Sequence, residues 1–315
     1  MIVENEKIEN LYSGGIKTIS MNRINYGNKR LYVSTEPFRV YSGLTGALTA
    51  ATFKGNVDGK RLDKWREKMT SSLGKEGQEA YLNSMADFGT LVHSALVSVW
   101  NNKSLNWADE QDYAYKFFTE SAKKNGINPN DNVVRAQVYE YCKAAASIMQ
   151  FVYDEVDEIY SIEGMCKSDI LEIATPIDLT CKLKGGKVAT LNIKTSAQIG
   201  DHQREQCAIE KYLWNATYPD CQASHTGIIR PKAWKEKKGI PTYEFELLKP
   251  EEEIQMTADA VERLLLVKRN INSTYLNYPK EISIFEGVSK LGEAPKIVTK
   301  TLEQVFTENQ LQTTN

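Results

Sequence analysis

The sequence predicts an α/β fold with a helical N-terminal part and a strand-rich second half. Two observations support this prediction: apolar residues recur at helical spacing up to about residue 157, and short apolar runs bounded by turn residues follow. The chain has 315 residues, of which 41% are hydrophobic and 25% are charged, so it can bury a substantial core. Because no repeat or low-complexity linker interrupts it, we expect one main domain.

The N-terminal part is predicted to be a lead-in followed by helices. Residues 1–41 are polar with short strand-like pieces, and we interpret them as an extended lead-in. The helical part is predicted for residues 42–157, with a strongly apolar helix over 85–100 and a long helix over 133–157. The sequence NGINPNDN at 125–132 is typical of a turn.

The sheet core is predicted for residues 158–280, so that residues 42–280 form a single domain. The predicted strands share short apolar or β-branched runs and are 159–162, 168–179, 187–193, 223–229 and 243–248. Helices are predicted over 201–217 and, after Pro250, over 251–270, where acids in the first turn favour the helix dipole. Residues 281–315 are expected to be a partly flexible C-terminal extension.

Composition excludes several classes of protein. The net charge of −2 gives no global positive field, so nucleic-acid binding would require a local basic patch. No apolar run is long enough for a membrane span, and the polar N-terminus does not resemble a signal peptide. The five cysteines lack a CxxC spacing and are interpreted as free thiols in a reducing cytoplasm. Phosphate-binding-loop, serine-hydrolase and dinucleotide-binding motifs are absent from the sequence.

The most informative constellation lies between residues 174 and 196. Asp178 is on one strand-like run, and Asn192 and Lys194 are on the next one, after a Gly-Gly turn. Strand alternation places Asn192 and Lys194 on the same face, and the turn would bring them to Asp178. Carboxylate oxygens suit Mg²⁺ or Mn²⁺, and a lysine can orient or deprotonate water at such a metal.

Several motifs along the chain occur in one order: SGLTGALTA, LDKWREKM, FGTLVHSAL, IEGMCKSDILEIATPIDL, LNIKTS and REQCAIEKY. Together they resemble the PD-(D/E)XK nuclease superfamily, over about residues 42–229. The similar branch contains RecB-type nuclease modules, phage exonucleases and the mitochondrial genome maintenance exonuclease. The resemblance implies a restriction-endonuclease-like core, with a mixed central sheet flanked by helices.

The resemblance also implies a Mg²⁺- or Mn²⁺-dependent deoxyribonuclease. The expected substrate is DNA, as single strands or ends, in phage or bacterial replication, recombination or processing. If the chain is phage-encoded, it would work in the cytoplasm of the bacterial host.

The resemblance assigns roles to particular residues. The candidate metal ligands are His93, Glu163, Asp178 and Asn192. The candidate catalytic residues are Asp178, Asn192, Lys194 and Gln206. Asp178 would be the principal metal carboxylate, Lys194 the catalytic lysine, and Gln206 the helix residue that supports this lysine. His93 would act on the metal or the substrate side, and Glu163 would be an accessory acid.

Two positions depart from the family pattern. Asn192 stands where the motif has an acid, and Glu210 stands where it usually has a tyrosine. An amide still offers a carbonyl oxygen, but it removes a negative charge and should weaken metal binding. The alternative is therefore a catalytically degenerate nuclease-fold protein that binds DNA or serves in an assembly. A substitution introduced to trap a substrate complex is a third possibility.

Structural interpretations also remain for individual residues. His93 lies among apolar residues and is compatible with a buried structural histidine. Glu163 is compatible with an ordinary strand-edge charge, and Gln206 and Glu210 with the polar stripe of an amphipathic helix. The basic segment around Lys232, Trp234 and Lys235 could contact a DNA backbone and stack on a base, or could be a solvated hairpin tip; these three form a single candidate site.

Overall fold

The computed structural model describes most of the chain. The described residues are 6–8, 11–12, 18–26, 29–35, 37–51, 57–102, 105–196, 198–231, 242–269, 281–286, 296–301 and 303–304. The basic segment at 232–241, with Lys232, Trp234 and Lys235, lies outside these ranges. Its predicted contact with nucleic acid therefore stays a prediction.

The protein is a mixed α/β structure with a mixed central sheet and helices on both of its faces. The helices are α1 (Leu44–Ala51), α2 (Val57–Asn102), α3 (Trp107–Lys124), α4 (Asp131–Glu155), α5 (Asp201–Thr217) and α6 (Pro250–Arg269). The strands are β1 (Glu6–Ile8), β2 (Leu11–Tyr12), β3 (Met21–Tyr26), β4 (Lys29–Thr35), β5 (Phe38–Gly43), β6 (Val156–Ser168), β7 (Ile173–Leu183), β8 (Val188–Ile193), β9 (His225–Pro231), β10 (Tyr243–Leu247), β11 (Glu281–Glu286) and β12 (Lys296–Thr301). None of the helices in the described ranges is both long and apolar enough to cross a membrane.

The helices form largely where periodicity predicts them. Asn106 and Asn130 cap the N-termini of α3 and α4, because their side chains accept the free backbone N–H groups of the first turn. Helix α2 is interrupted at Gly74, whose φ of 72° lies in the left-handed region that glycine tolerates. Two helical pieces are therefore joined end to end in α2, and the second piece carries the predicted apolar helix at 85–100.

The N-terminal strands belong to the central sheet. Strands β3, β4 and β5 form an antiparallel meander, and β5 then pairs in parallel with β7. Tyr32 and Tyr41 are buried in this region against Met165 and Ala174. Their burial explains why the segment predicted as an extended lead-in is instead part of the sheet: its alternate side chains are apolar and find a partner only in residues far along the chain.

The centre of the sheet is built from β6, β7, β8 and β9. Strands β6, β7 and β8 are antiparallel, whereas β9 is parallel to β8 after the crossover helix α5. One face packs on α2, α3 and α4 through residues such as Leu179 and Leu191, and the other packs on α1, α5 and α6 through residues such as Ile177. Strands β11 and β12 pair with each other within the predicted C-terminal extension.

Candidate metal centre

Asp178 lies where strands β7 and β8 separate. The last paired residues before the separation are Leu179 and Leu191, so Asp178 and Asn192 occupy the next positions on the two strands. Asp178 Oδ2 accepts the backbone N–H of Ile193 at 2.6 Å. Because the carboxylate satisfies this N–H in place of a backbone carbonyl, the strands can diverge without leaving a buried donor unpaired.

Glu163 reaches the same point from strand β6. The pairs Ile162–Leu179 and Gly164–Ile177 flank it, which places Glu163 opposite Asp178. Its φ of 52° is in the left-handed region, which is uncommon for a residue other than glycine. Backbone strain of this kind concentrates at functional sites, where the surrounding structure maintains it. The adjacent Gly164 lets strand β6 pack closely on its neighbours, since a Cβ at this position would clash with the side chain of Ser161 and lie 3.2 Å from the ring of Trp214.

His93 faces both carboxylates from helix α2. Its Nδ1 lies 3.4 Å from Asp178 Oδ1 and 3.6 Å from Glu163 Oε1, while its Nε2 lies 3.2 Å from the backbone oxygen of Ile193. In the neutral histidine, an Nε2–H that donates to this oxygen leaves the Nδ1 lone pair facing the carboxylates. Metal-binding histidines are commonly held in this way, with the second ring nitrogen donating to a backbone carbonyl or a carboxylate.

The charges of the two acids control the protonation of His93. Partial burial lowers the pKa of the imidazole, but Asp178 and Glu163 more than offset this effect and raise the pKa to about 9. His93 is therefore an imidazolium at neutral pH when no other cation is present. A structural role and a ligand role for His93 are therefore compatible. Without a metal, a proton on Nδ1 pairs with the two carboxylates, and this is the same position at which a cation would be attracted.

A second set of polar residues, joined by hydrogen bonds, connects the end of β8 to helix α5. Lys194 Nζ donates to Gln206 Oε1 at 3.2 Å, and Gln206 Nε2 donates to Glu210 Oε1 at 2.7 Å. Asn192 Nδ2 donates to the other carboxylate oxygen, Glu210 Oε2, at 2.8 Å. Gln206 thus contacts Lys194, as the resemblance implies, while Asn192 is tied to the helix through Glu210.

Glu210 is a buried acid. Only 1% of its surface is exposed. Burial is the main cause that raises its pKa to about 7; the charge of Asp178 acts in the same direction, whereas Lys194 and the two amide donors lower the pKa. Helix spacing already indicated that Glu210 faces the same way as Gln206, but only the folded chain reveals that its partner is Asn192.

The predicted site residues therefore fall into two sets, and the residues within each set are close to one another. His93, Glu163 and Asp178 form a cluster whose ligand atoms all lie within 4.8 Å of one another. Lys194 and Gln206 form the second group together with Asn192 and Glu210. The other two histidines lie elsewhere: His202 is at the start of α5, and His225 is the first residue of β9 and contacts the preceding Ser224.

The donor atoms suit a divalent cation. His93 Nδ1 and the carboxylate oxygens of Asp178 and Glu163, which lie 3.4 and 3.6 Å from it, would hold such a cation. Asn192 Oδ1 adds a possible neutral oxygen ligand, because it is buried without a hydrogen-bond partner among the described residues. Carboxylate oxygens and an imidazole nitrogen together are compatible with several divalent cations.

The pKa of His93 predicts how metal affinity depends on pH. A proton competes with the cation for Nδ1, so Mn²⁺ affinity should rise by up to about tenfold per pH unit until about pH 9 and then level off. In the metal-free protein, the raised pKa stabilises the fold fully below about 6.5, and this stabilisation is lost as the pH rises towards 9. Calorimetric titration between pH 7 and pH 9 checks the affinity, and His93→Gln should remove the slope. An affinity that does not change over this range would contradict a ligand role for His93.

A scan of protein-family models finds no match to the chain, and a comparison with curated proteins finds none either.

Proposed function

We propose that the chain is a Mg²⁺- or Mn²⁺-dependent DNA nuclease of the PD-(D/E)XK type, acting as an exonuclease in phage or bacterial DNA processing. The observation that carries the proposal is the meeting of His93, Glu163 and Asp178 where β7 and β8 separate, beside a lysine that Gln206 holds. A lone acid or lysine would carry little weight. Their convergence from α2, β6, β7 and the end of β8 supports a site for phosphodiester hydrolysis.

The sheet order supports a restriction-endonuclease-like core. Strands β6, β7 and β8 are consecutive and antiparallel, α5 crosses over, and β9 returns parallel to β8. This is a mixed central sheet flanked by helices, as the sequence resemblance implies. The candidate residues lie on the elements that the motifs assign to them: His93 on a helix, Asp178 on a strand and Gln206 on the crossover helix.

Each residue has a defined task in this mechanism. A divalent cation bound by His93, Glu163 and Asp178 would lower the pKa of a bound water and neutralise phosphate charge. Asp178 also fixes the backbone of Ile193, which holds Lys194 next to the cluster. Lys194 would orient or deprotonate the attacking water, and Gln206 limits the positions that its ammonium can adopt. The DNA specificity and the preference for ends rest on the resemblance of the sequence motifs.

A cleavage assay with Lys194→Ala tests the proposal. The wild-type chain should degrade end-labelled single-stranded or duplex DNA when Mg²⁺ or Mn²⁺ is added, and EDTA should stop it. Lys194→Ala should lower the rate by about 10²–10⁴-fold while Mn²⁺ binding is kept, because the lysine acts on water rather than on the cation. Lys249→Ala is the matched control, since Lys249 lies on the surface and pairs with Glu252. A folded wild-type protein that cuts no DNA with either metal would refute the activity.

A second candidate is a nuclease-fold protein without catalysis, which binds DNA or serves in an assembly. The observation in its favour is Asn192, whose amide replaces the motif acid and is already bonded to Glu210. This protein would bind Mn²⁺ weakly and retain DNA without cutting it. Electrophoretic mobility shift with intact DNA recovery, in the presence of Mn²⁺, would distinguish it from the nuclease.

A further inference from the structure

Glu210 lies at the centre of a partly buried chain of hydrogen bonds next to the candidate metal site. One carboxylate oxygen accepts from Asn192 Nδ2 and the other accepts from Gln206 Nε2. The far end of Gln206, its Oε1, accepts from Lys194 Nζ. Asn192 is 2% exposed and Glu210 is 1% exposed, so water does not compete for the bond between these two side chains.

This arrangement fixes which end of each amide faces which way. The oxygen and nitrogen ends of an amide have nearly the same shape, so packing alone barely distinguishes them. Both carboxylate oxygens of Glu210 accept a hydrogen bond, one from each amide, and Glu210 therefore selects the NH₂ end of both amides. Asn192 Oδ1 then points away from Glu210 and is buried without a partner among the described residues, while Gln206 Oε1 is available to Lys194.

We propose that Glu210 is a positioning residue, which orients Asn192 so that Oδ1 is a neutral oxygen ligand for the divalent cation and orients Gln206 so that it holds Lys194. The proposal rests on the metal site of the proposed function. Asn192 is then a matched partner of Glu210 and not a remnant of a lost acid. A carboxylate at position 192 would lie beside the carboxylate of Glu210, where the present donor and acceptor are 2.8 Å apart, and the two like charges would repel each other.

The variant Glu210→Gln separates the positioning role from a structural one. A glutamine at position 210 keeps the shape but presents one oxygen and one NH₂ group, so one of the two neighbouring amides must reverse. Reversal of Gln206 would sacrifice its bond to Lys194, whereas reversal of Asn192 gives its unpartnered oxygen a donor. Asn192 should therefore reverse and turn its NH₂ group towards the cation. We expect Mn²⁺ affinity to fall at least about tenfold with the melting temperature of the metal-free protein nearly unchanged.

The reciprocal exchange should restore binding. In the double variant Asn192→Asp/Glu210→Gln, the new amide donates to the new carboxylate and its oxygen still accepts from Gln206. All the bonds are then satisfied, and the ligand at position 192 gains a negative charge. We expect the double variant to bind Mn²⁺ at least as tightly as the wild type. The single variant Asn192→Asp should lower the melting temperature by several degrees, because it leaves two carboxylates in contact.

Calorimetric Mn²⁺ titrations at about pH 8 and melting curves of these four proteins test the proposal. Glu205→Gln is the matched control, since it removes the same charge from α5 at a residue that pairs with Arg263. The proposal is overturned if Glu210→Gln binds Mn²⁺ like the wild type, if the double variant binds no better than Glu210→Gln, or if the wild type binds no Mn²⁺. A wild type that binds Mn²⁺ and follows the expected order of affinities but cuts no DNA would refute only the nuclease function.

Discussion

Replacing Asp178 by asparagine is expected to abolish measurable Mn²⁺ binding and to lower metal-dependent DNA cleavage by about 10³-fold, or about 4 kcal/mol of transition-state stabilisation. The variant removes the negative charge of the most central ligand but keeps its shape. The remaining side-chain oxygen can still accept the N–H of Ile193, which Asp178 Oδ2 now accepts at 2.6 Å. The separation of β7 and β8 should therefore persist, so the loss of Mn²⁺ binding and of cleavage would result from the missing ligand charge and not from a change of fold.

Asp169→Asn is the matched control for this variant. Asp169 bonds to Tyr41 and Lys167 in the turn that precedes β7, and its change removes one charge from a different part of the same sheet. Calorimetry measures Mn²⁺ binding, and circular dichroism verifies the fold. Retention of Mn²⁺ binding by a folded Asp178→Asn protein would show that Asp178 is not the principal ligand.

Replacing Glu163 by glycine is expected to reduce Mn²⁺ affinity by about 10–100-fold without destabilising the fold by more than about 1 kcal/mol. The substitution removes a ligand and its attraction for the His93 imidazolium. It also relieves the left-handed backbone at φ 52° and the proximity of two acids, which offsets the lost attraction. If Glu163 served only stability, its replacement would instead lower the free energy of unfolding by several kcal/mol, because the charge of His93 would lose a partner.

Glu172→Gly is the matched control, because Glu172 also has a positive φ, of 55°, in the turn before β7. It pairs with Lys268 on α6, and a partly exposed pair of this kind contributes little stability. Chemical denaturation of both variants should show similar small changes, whereas only Glu163→Gly should lose Mn²⁺ affinity. A loss of several kcal/mol in the Glu163 variant, with Mn²⁺ affinity unchanged, would assign Glu163 a structural role.

Much of the element order could be predicted from the sequence because it depends on local patterns. Helix α4 begins at Asp131 and ends at Glu155, close to the predicted range of 133–157, and α5 occupies the predicted 201–217. Both are long amphipathic segments with turn residues before them. The central strands β7, β8 and β9 overlap the runs predicted at 168–179, 187–193 and 223–229, since buried strands need continuous hydrophobic sequence.

The N-terminal strands were harder to predict. Strands β3 to β5 are short and alternate with polar residues, so their sequence alone is compatible with a lead-in. Their place in the sheet depends on the parallel pairing of Ser42 and Gly43 with Ile173 and Ala174. That contact joins distant parts of the chain, and no local pattern encodes it.

The sequence by itself determined which residues could form the site, because motif spacing fixes the strand face of Asn192 and Lys194 and the helix face of Gln206 and Glu210. Only the tertiary structure decided how these side chains are paired. His93 meets Glu163 and Asp178 because α2 packs where β7 and β8 diverge, and Asn192 meets Glu210 because α5 covers the same strand end. The physical reason is that hydrogen bonds and ligand distances depend on orientation at ångström scale, whereas residue spacing specifies only the face of each element.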